Sequence, residues 1–434
     1  MATRRVERRI SRIALDESFE ESKRTSGIVA HFTFLTLGVS SLLPWNALII
    51  ALPFFLEKLD GTELHDTFAS WISFVFNGVG LLSIGLATWL GGQFIGPLTC
   101  TFSMLTLAFL FGFLTIIPFF ELPAITFFIT IISASVMLAA AGGLLQTATI
   151  TLAPAYGPSA IAYYMAGSAL SAVGVSALQV FTAYTSNTIE IPGVDSPAWS
   201  ATICYATSTL LVTLALVSFH TLAVAAPGVK SDNSKDFSDL PISESTRLLE
   251  SALDSPLPPS RQTNRARPCN RWRLECNFAI FYAGVITLGV FPAITTRIEP
   301  VDPRTNPLVF NALHFLVFNI ADLIGRAMIS VELLPSGDTA LVVYSFARTV
   351  FVPAFMVCNA VGHWPTFITS DLAYMLVLFV FGVTCGHLTT LALISASQDQ
   401  DPEVRGRETR TAQFWMMSGY VVGGIASFGI GAIL

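Results

Sequence analysis

Charge is what this chain of 434 residues has least of: only 12% of its residues are Asp, Glu, Lys or Arg. Water-soluble domains carry about twice that share, so an ordinary soluble fold is excluded. The six cysteines (Cys100, Cys204, Cys269, Cys276, Cys358, Cys385) form no C-x-x-C pair and no evident disulfide framework, which leaves them as small packing residues. No phosphate-cradling G-x-x-x-x-G-K-[ST] run is present, so no ATP drive is expected. His314 and His387 each stand alone in apolar stretches without metal-ligand spacing, and read as packed, hydrogen-bonded core histidines. No Ser/His/Asp grouping suggests a nucleophile, no basic patch interleaved with aromatics suggests nucleic acid, and no cofactor is implied. Residues 1–26, with the run RRVERR and an acidic, serine-bearing stretch, lack the pattern of a secretory signal and read as a disordered cytosolic tail.

Apolar residues fill that space. They make up 53% of the chain, and the mean hydropathy is +0.65. Runs of about 20 apolar residues recur to the C-terminus, the pattern of an all-α polytopic membrane protein. Eleven spans are expected, near 27–56, 69–94, 98–119, 123–153, 158–185, 199–225, 275–297, 308–332, 340–361, 369–394 and 411–434. Pro44, Pro53 and Pro292 fall inside apolar runs and should kink or locally unwind them. Segment 226–274 is rich in Ser, Pro, Asp and Arg without an apolar period, and reads as a flexible cytosolic linker. It divides the spans into a six-helix half (27–225) and a five-helix half (275–434). Lys and Arg concentrate in the first tail, in this linker and just before the last span (Arg405, Arg407, Arg410), which places the N-terminus in the cytosol. Within the linker, Glu244 precedes Leu248 and Leu249 as in an acidic dileucine sorting signal, for which the partner is a trafficking adaptor.

The span 308–332 breaks the apolar rule. It reads HFLVFNIADLIGRAMIS over residues 314–330 and carries Asp322 and Arg326. Four residues apart, they share one helix face, which Asn319 and Phe315 extend by two turns. Burying both charges costs several kcal/mol each unless they pair or line a wet cavity, and ionisable groups at membrane depth mark a site by default. Two other runs carry suitable companions. In LLPWN (42–46), Pro44 presents Trp45, a flat ring suited to stacking, beside Asn46, which can bond across helices. In GGLLQ (142–146), two small residues permit close helix approach one turn before Gln146, which suits either interhelical bonding or ligand contact. The run GVFPA (289–293) would turn Phe291 inward, as core by its own reading.

Together LLPWN, GGLLQ, VFPAIT (290–295), FNIADLIGR (318–326) and RTVFVPAFMVCN (348–359), in that order and with a six-plus-five layout, resemble the equilibrative nucleoside transporter family. The resemblance implies a major-facilitator-like fold that moves nucleosides, or in some members nucleobases, down their gradient by alternating access. It implies that Asp322 and Arg326 hold ribose hydroxyls and base, that Gln146 contacts the base, and that Trp45 supplies the aromatic of the first helix. Leu42, Ile49, Gly142, Phe291, Phe315 and Asn319 fall where pocket-lining residues occur. Ala321 stands where the family usually has a large aromatic, and Leu323 also departs, which points to a wider pocket. Within transport the alternative is a proton-coupled carrier of an acidic organelle, which would need Asp322 to titrate beside Arg326. The expected partners are the cargo, the bilayer and the adaptor; the expected location is the plasma membrane or an endosomal, lysosomal or vacuolar membrane.

Overall fold

A computed structural model describes residues 27–433, except 92–94, 186–196, 226–268, 292–293, 296–297, 303, 331–337, 360–366 and 400. The first tail, most of the linker and the dileucine residues Glu244, Leu248 and Leu249 lie outside the described residues.

Proline and glycine punctuate the helices. Helix α1 (Gly27–Ile50) is followed by the short α2 (Leu52–Lys58), then α3 (His65–Leu90), α4 (Pro97–Ile116), α5 (Ala124–Leu152), α6 (Pro158–Thr185) and α7 (Pro197–Ala225). After the linker come α8 (Cys269–Val290), α9 (Pro307–Ala327), α10 (Asp338–Ala347), α11 (Phe351–Met356), α12 (Asp371–Ala396) and α13 (Pro402–Ile433). Proline opens α4, α6, α7, α9 and α13, where its missing N–H has no helical partner to lose. Ser370 caps α12, its hydroxyl accepting from the Ala373 amide at 3.4 Å. Gly157, at φ +92°, turns the chain between α5 and α6 in a conformation that L side chains rarely adopt.

Three sequence expectations move. Pro44 does not interrupt α1, which stays helical to Ile50; the break comes at Ala51, ahead of Pro53. One proline removes a single ladder bond, and the backbone bonds Ala51 to Ala47 and Phe55 to Ala51, each 3.1 Å, carry the coil onward. The last helix begins at Pro402 rather than near 411, so Arg405, Arg407 and Arg410 lie on helical turns and not in a loop. Helix α8 likewise starts inside the stretch read as linker and ends before Phe291.

Among the described residues, nine helices are long and apolar enough to cross a membrane, and α8 adds a shorter apolar stretch, Leu274–Val290. The eleventh expected span falls on α13, which is not among those nine. The fold is all-α: its one β-bridge joins Cys358 to Ile368 among the described residues. Large apolar side chains such as Phe74, Leu82, Trp89, Leu98 and Leu372 point outward, an arrangement that lipid tolerates and water does not. The protein is a multi-pass membrane protein.

Helices meet where glycine removes the side chain. A Cβ on Gly38 or Gly167 would overlap backbone of the facing helix, which locks α1 against α6. Gly284 and Gly419 do the same for α8 and α13, and Gly325 and Gly386 for α9 and α12. The last pair bears on the site directly: a Cβ on Gly386 would collide with the Asp322 carbonyl, so the α12 backbone is pressed against the turn of α9 that carries the aspartate.

Candidate functional site

Helix α9 turns one polar face, Asn319, Asp322 and Arg326, toward its neighbours. Arg326 Nε donates to Asp322 Oδ2 at 2.7 Å, and the residues are only 9% and 6% exposed. A side-chain pair four residues apart forms within its own helix, so the local sequence builds it without help from the fold. The fold decides what else the pair touches. Arg326 Nη1 donates to the Met165 carbonyl of α6 at 3.1 Å, and Asp322 Oδ1 is buried with no hydrogen-bond partner. One turn away, Asn319 Nδ2 donates to Ser176 Oγ at 2.5 Å and to the Ala172 carbonyl at 3.4 Å. One face of α9 is therefore tied to α6 at two levels, with a carboxylate oxygen left over between them.

The first-helix motif sits beside this face. Asn46 donates to Ser171 Oγ at 3.0 Å, binding α1 to α6 as its position in LLPWN suggests. Trp45 is half-buried and tilts against Phe76 of α3, ring centroids 5.2 Å apart; Leu42 and Ile49, a turn to either side, are also half-buried. Gly142 packs α5 onto the proline turn of α1, where an added methyl would lie 3.6 Å from Pro44 Cγ. Gln146, one turn on, donates through Nε2 to the Ser41 carbonyl at 3.3 Å and accepts at Oε1 from Gln413 Nε2 at 3.2 Å.

The aromatic candidates form their own layer. Phe291, just past the end of α8, stacks on Phe318 at 4.0 Å and meets Phe315 edge-on at 5.1 Å. Phe315 stands two turns from Asp322 on the same face of α9, so this layer caps the polar face toward the start of the helix. His314 joins the layer, stacked on Phe315 at 4.3 Å; contrary to the expectation of a hydrogen-bonded core histidine, its Nε2 has no partner. Ala321 is fully buried against Gly382, whose added Cβ would press on the Ala321 Cβ; a large aromatic at 321 would not fit this α9–α12 contact. The expectation that alanine widens the pocket moves accordingly: the small residue closes a helix crossing.

Three residues enter that sequence reasoning did not single out. Gln413 is 1% exposed and reaches Gln146 from α13. Tyr420, two turns further along α13, lies within electrostatic reach of both Asp322 and Arg326. Arg348, between α10 and α11, is 1% exposed; it donates to Thr287 Oγ1 at 3.0 Å and to the Ala283 and Phe381 carbonyls at 3.3 and 3.4 Å, and sits 4.8 Å above the Phe381 ring. Gln413 follows an arginine-rich run that reads as a polar flank; only its seven-residue spacing to Tyr420 hints at a shared inward face. The assembled group can offer a carboxylate acceptor, guanidinium and amide donors and flat rings, a set that fits a neutral, hydroxylated, ring-bearing solute better than an ion.

Comparison with known proteins bears on that chemistry. The fold resembles the E. coli fucose:proton symporter (TM-score 0.55, 15% identity, 94% of this chain and 92% of that one). It also resembles a major facilitator proton:xylose symporter (TM-score 0.57, 10% identity, 95% and 88%). At these identities the likeness is one of fold. In sequence, the chain is 24% identical over 453 residues to equilibrative nucleoside transporter 1 of Rattus norvegicus, covering 92% of this chain and 96% of that protein. It is 31% identical to equilibrative nucleoside transporter 2 of Mus musculus over 156 residues, 34% of each chain. Equilibrative nucleotide transporter 1 of Arabidopsis thaliana is 25% identical over 85% of this chain and 78% of its own. Residues 132–432 match the profile of the family described as nucleoside transporter, and by that match the chain belongs to the nucleoside transporter family.

Proposed function

We propose that this protein carries nucleosides across a membrane down their gradient, by alternating access and without ATP. The carrying observation is Asp322: a buried carboxylate that is paired through one oxygen and open at the other, on a face shared with Asn319 and Arg326. In this reading Asp322 accepts ribose hydroxyls, Arg326 and Gln146 address the base, and Trp45 offers a stacking plane. Leu42, Ile49, Gly142, Phe291, Phe315 and Asn319 line or support the pocket. The halves 27–225 and 275–434, of six and five spans with a cytosolic N-terminus, rock about this group. The contacts of Arg326 and Asn319 with α6, and of Gln413 with α5, are the bonds such a motion would break and remake. A carrier must release its cargo, so affinity lies on the order of micromolar to millimolar, roughly −8 to −4 kcal/mol.

Uptake of radiolabelled adenosine and uridine into proteoliposomes tests this, at matched pH and with the trans side alkaline. Saturable flux that equalises concentrations and ignores the pH gradient is expected. Accumulation above equilibrium would establish proton coupling instead, and absence of nucleoside flux from folded protein would sink the substrate class. Glu244, Leu248 and Leu249 would bring the protein, through an adaptor, to an endosomal, lysosomal or vacuolar membrane. Joint replacement of Leu248 and Leu249 by alanine should then move a tagged protein to the cell surface; an unchanged distribution retires the sorting role.

A further inference from the structure

A short polar chain runs from α1 through α5 to α13, and its direction is set by chemistry. The Ser41 backbone carbonyl can only accept, so the Gln146 amide must turn Nε2 toward it. That leaves Gln146 Oε1 facing α13, where Gln413 Nε2 donates to it. The chain ends at Gln413 Oε1, which is buried without a hydrogen-bond partner. Buried amide oxygens are ordinarily satisfied, and one that is not marks a place where a donor is missing. Gln413, Met416, Met417 and Tyr420 follow at spacings of three, four and seven, so they share one face of α13. Tyr420, on that face, is within electrostatic reach of Asp322 and Arg326.

We infer that Gln413 is a specificity-determining residue of the transport site: its Oε1 accepts a hydrogen bond from an N–H donor on the cargo's ring edge, while its Nε2 fixes the orientation of Gln146. Gln146, with one N–H on Ser41, keeps the other for a neighbouring ring acceptor. The two amides together then read an acceptor beside a donor. Adenosine (ring N1 and exocyclic amine) and uridine (O4 and ring N–H) both present this pattern. Purine riboside, which lacks the amine, presents acceptors only. The inference rests on the nucleoside reading above and adds a residue and a selection rule to it.

The test is competition by unlabelled adenosine and by purine riboside against labelled adenosine uptake in proteoliposomes, for the wild type, Gln413→Met and Gln413→Glu. One hydrogen bond lost at a buried acceptor sets the scale, so the wild type should prefer adenosine by about three- to tenfold. Gln413→Met, similar in length but without an acceptor of that kind, should bring the ratio close to one. Gln413→Glu keeps an oxygen there and should retain the preference, even where flux falls because the bond to Gln146 is lost. An unchanged ratio in Gln413→Met, or equal weakening of both competitors at a fixed ratio, makes the amide a packing element and overturns the inference. Should Gln413→Met fail to insert, loss of the preference in Gln413→Glu overturns it and retention supports it. A wild type on which adenosine and purine riboside compete equally well defeats this inference alone, whereas a wild type without nucleoside flux defeats the proposed function and this inference with it.

Discussion

Arg326 and Arg348 both lie almost fully inside this protein, and they are used differently. Arg326 has its own carboxylate one turn back on the same helix, and its remaining contact reaches α6. Arg348 makes no ion pair among the described residues; carbonyls of α8 and α12, a threonine hydroxyl and the Phe381 ring surround it. A guanidinium that gives its donors to backbone carbonyls of two other helices is a clamp, because moving any of those helices strands a buried charge. A guanidinium paired with a carboxylate that still has an open oxygen is half of a recognition group, because a ligand can complete it. Burial alone does not separate the two cases. What separates them is the company each keeps: a carboxylate with an open oxygen stands beside Arg326, whereas Arg348, whose Nε is left without a partner, is met only by carbonyls, a hydroxyl and a ring.

That contrast can be broken by experiment. Asp322→Asn should lower nucleoside uptake by about a hundredfold or more while the protein still reaches the membrane, since it removes the open oxygen together with the charge that balances Arg326. Normal uptake by this variant would make the α9 pair a second clamp. Arg348→Met should act on stability, at about 3 kcal/mol, the scale of losing a buried charged hydrogen-bonding group, with uptake per folded molecule within about threefold of wild type. Thermal unfolding in detergent and uptake normalised to folded protein separate these, and lost uptake at unchanged stability would move Arg348 into the site. Gln146→Leu should raise the half-saturation concentration by about tenfold at most, as the loss of one or two neutral hydrogen bonds implies. Asn319→Ala should have the smallest effect, about threefold in rate, because its bonds to Ser176 and Ala172 join α9 to α6 and are not directed at a ligand. A larger drop in affinity than in rate would place Asn319 among the contact residues.

The face of α9 is legible in the sequence because its logic is local. In a chain with so few charges, an aspartate and an arginine four apart in an apolar run can be read without knowing any neighbour. The same holds for Gly142 and Gln146, one turn apart, and for the proline turn beside Trp45. The start of α13 is not legible in that way. RGRETRTAQ (405–413) reads as a polar flank, yet the helix begins at Pro402 and buries both Arg410 and Gln413. Hydropathy reports the average over a window, whereas burial of a single polar side chain depends on which helix lies opposite. Ala321 shows the same limit: a small residue suggests space until Gly382 of α12 is found filling it.

The sequence by itself determined that this is a multi-pass helical membrane protein, roughly where its helices run, and that α9 carries a paired charge on one face. These follow from composition and from periodicities of a few residues, which the backbone enforces wherever the helix ends up. Only the tertiary structure decided that Asp322 keeps one oxygen open, that Arg326 reaches Met165, and that Gln146 is turned by Ser41 on one side and held by Gln413 on the other. Gln413 lies 267 positions from Gln146 and Met165 lies 161 from Arg326. No local period links such pairs; they meet because glycines let particular helices approach, and the acceptors left over after that packing are what a ligand finds.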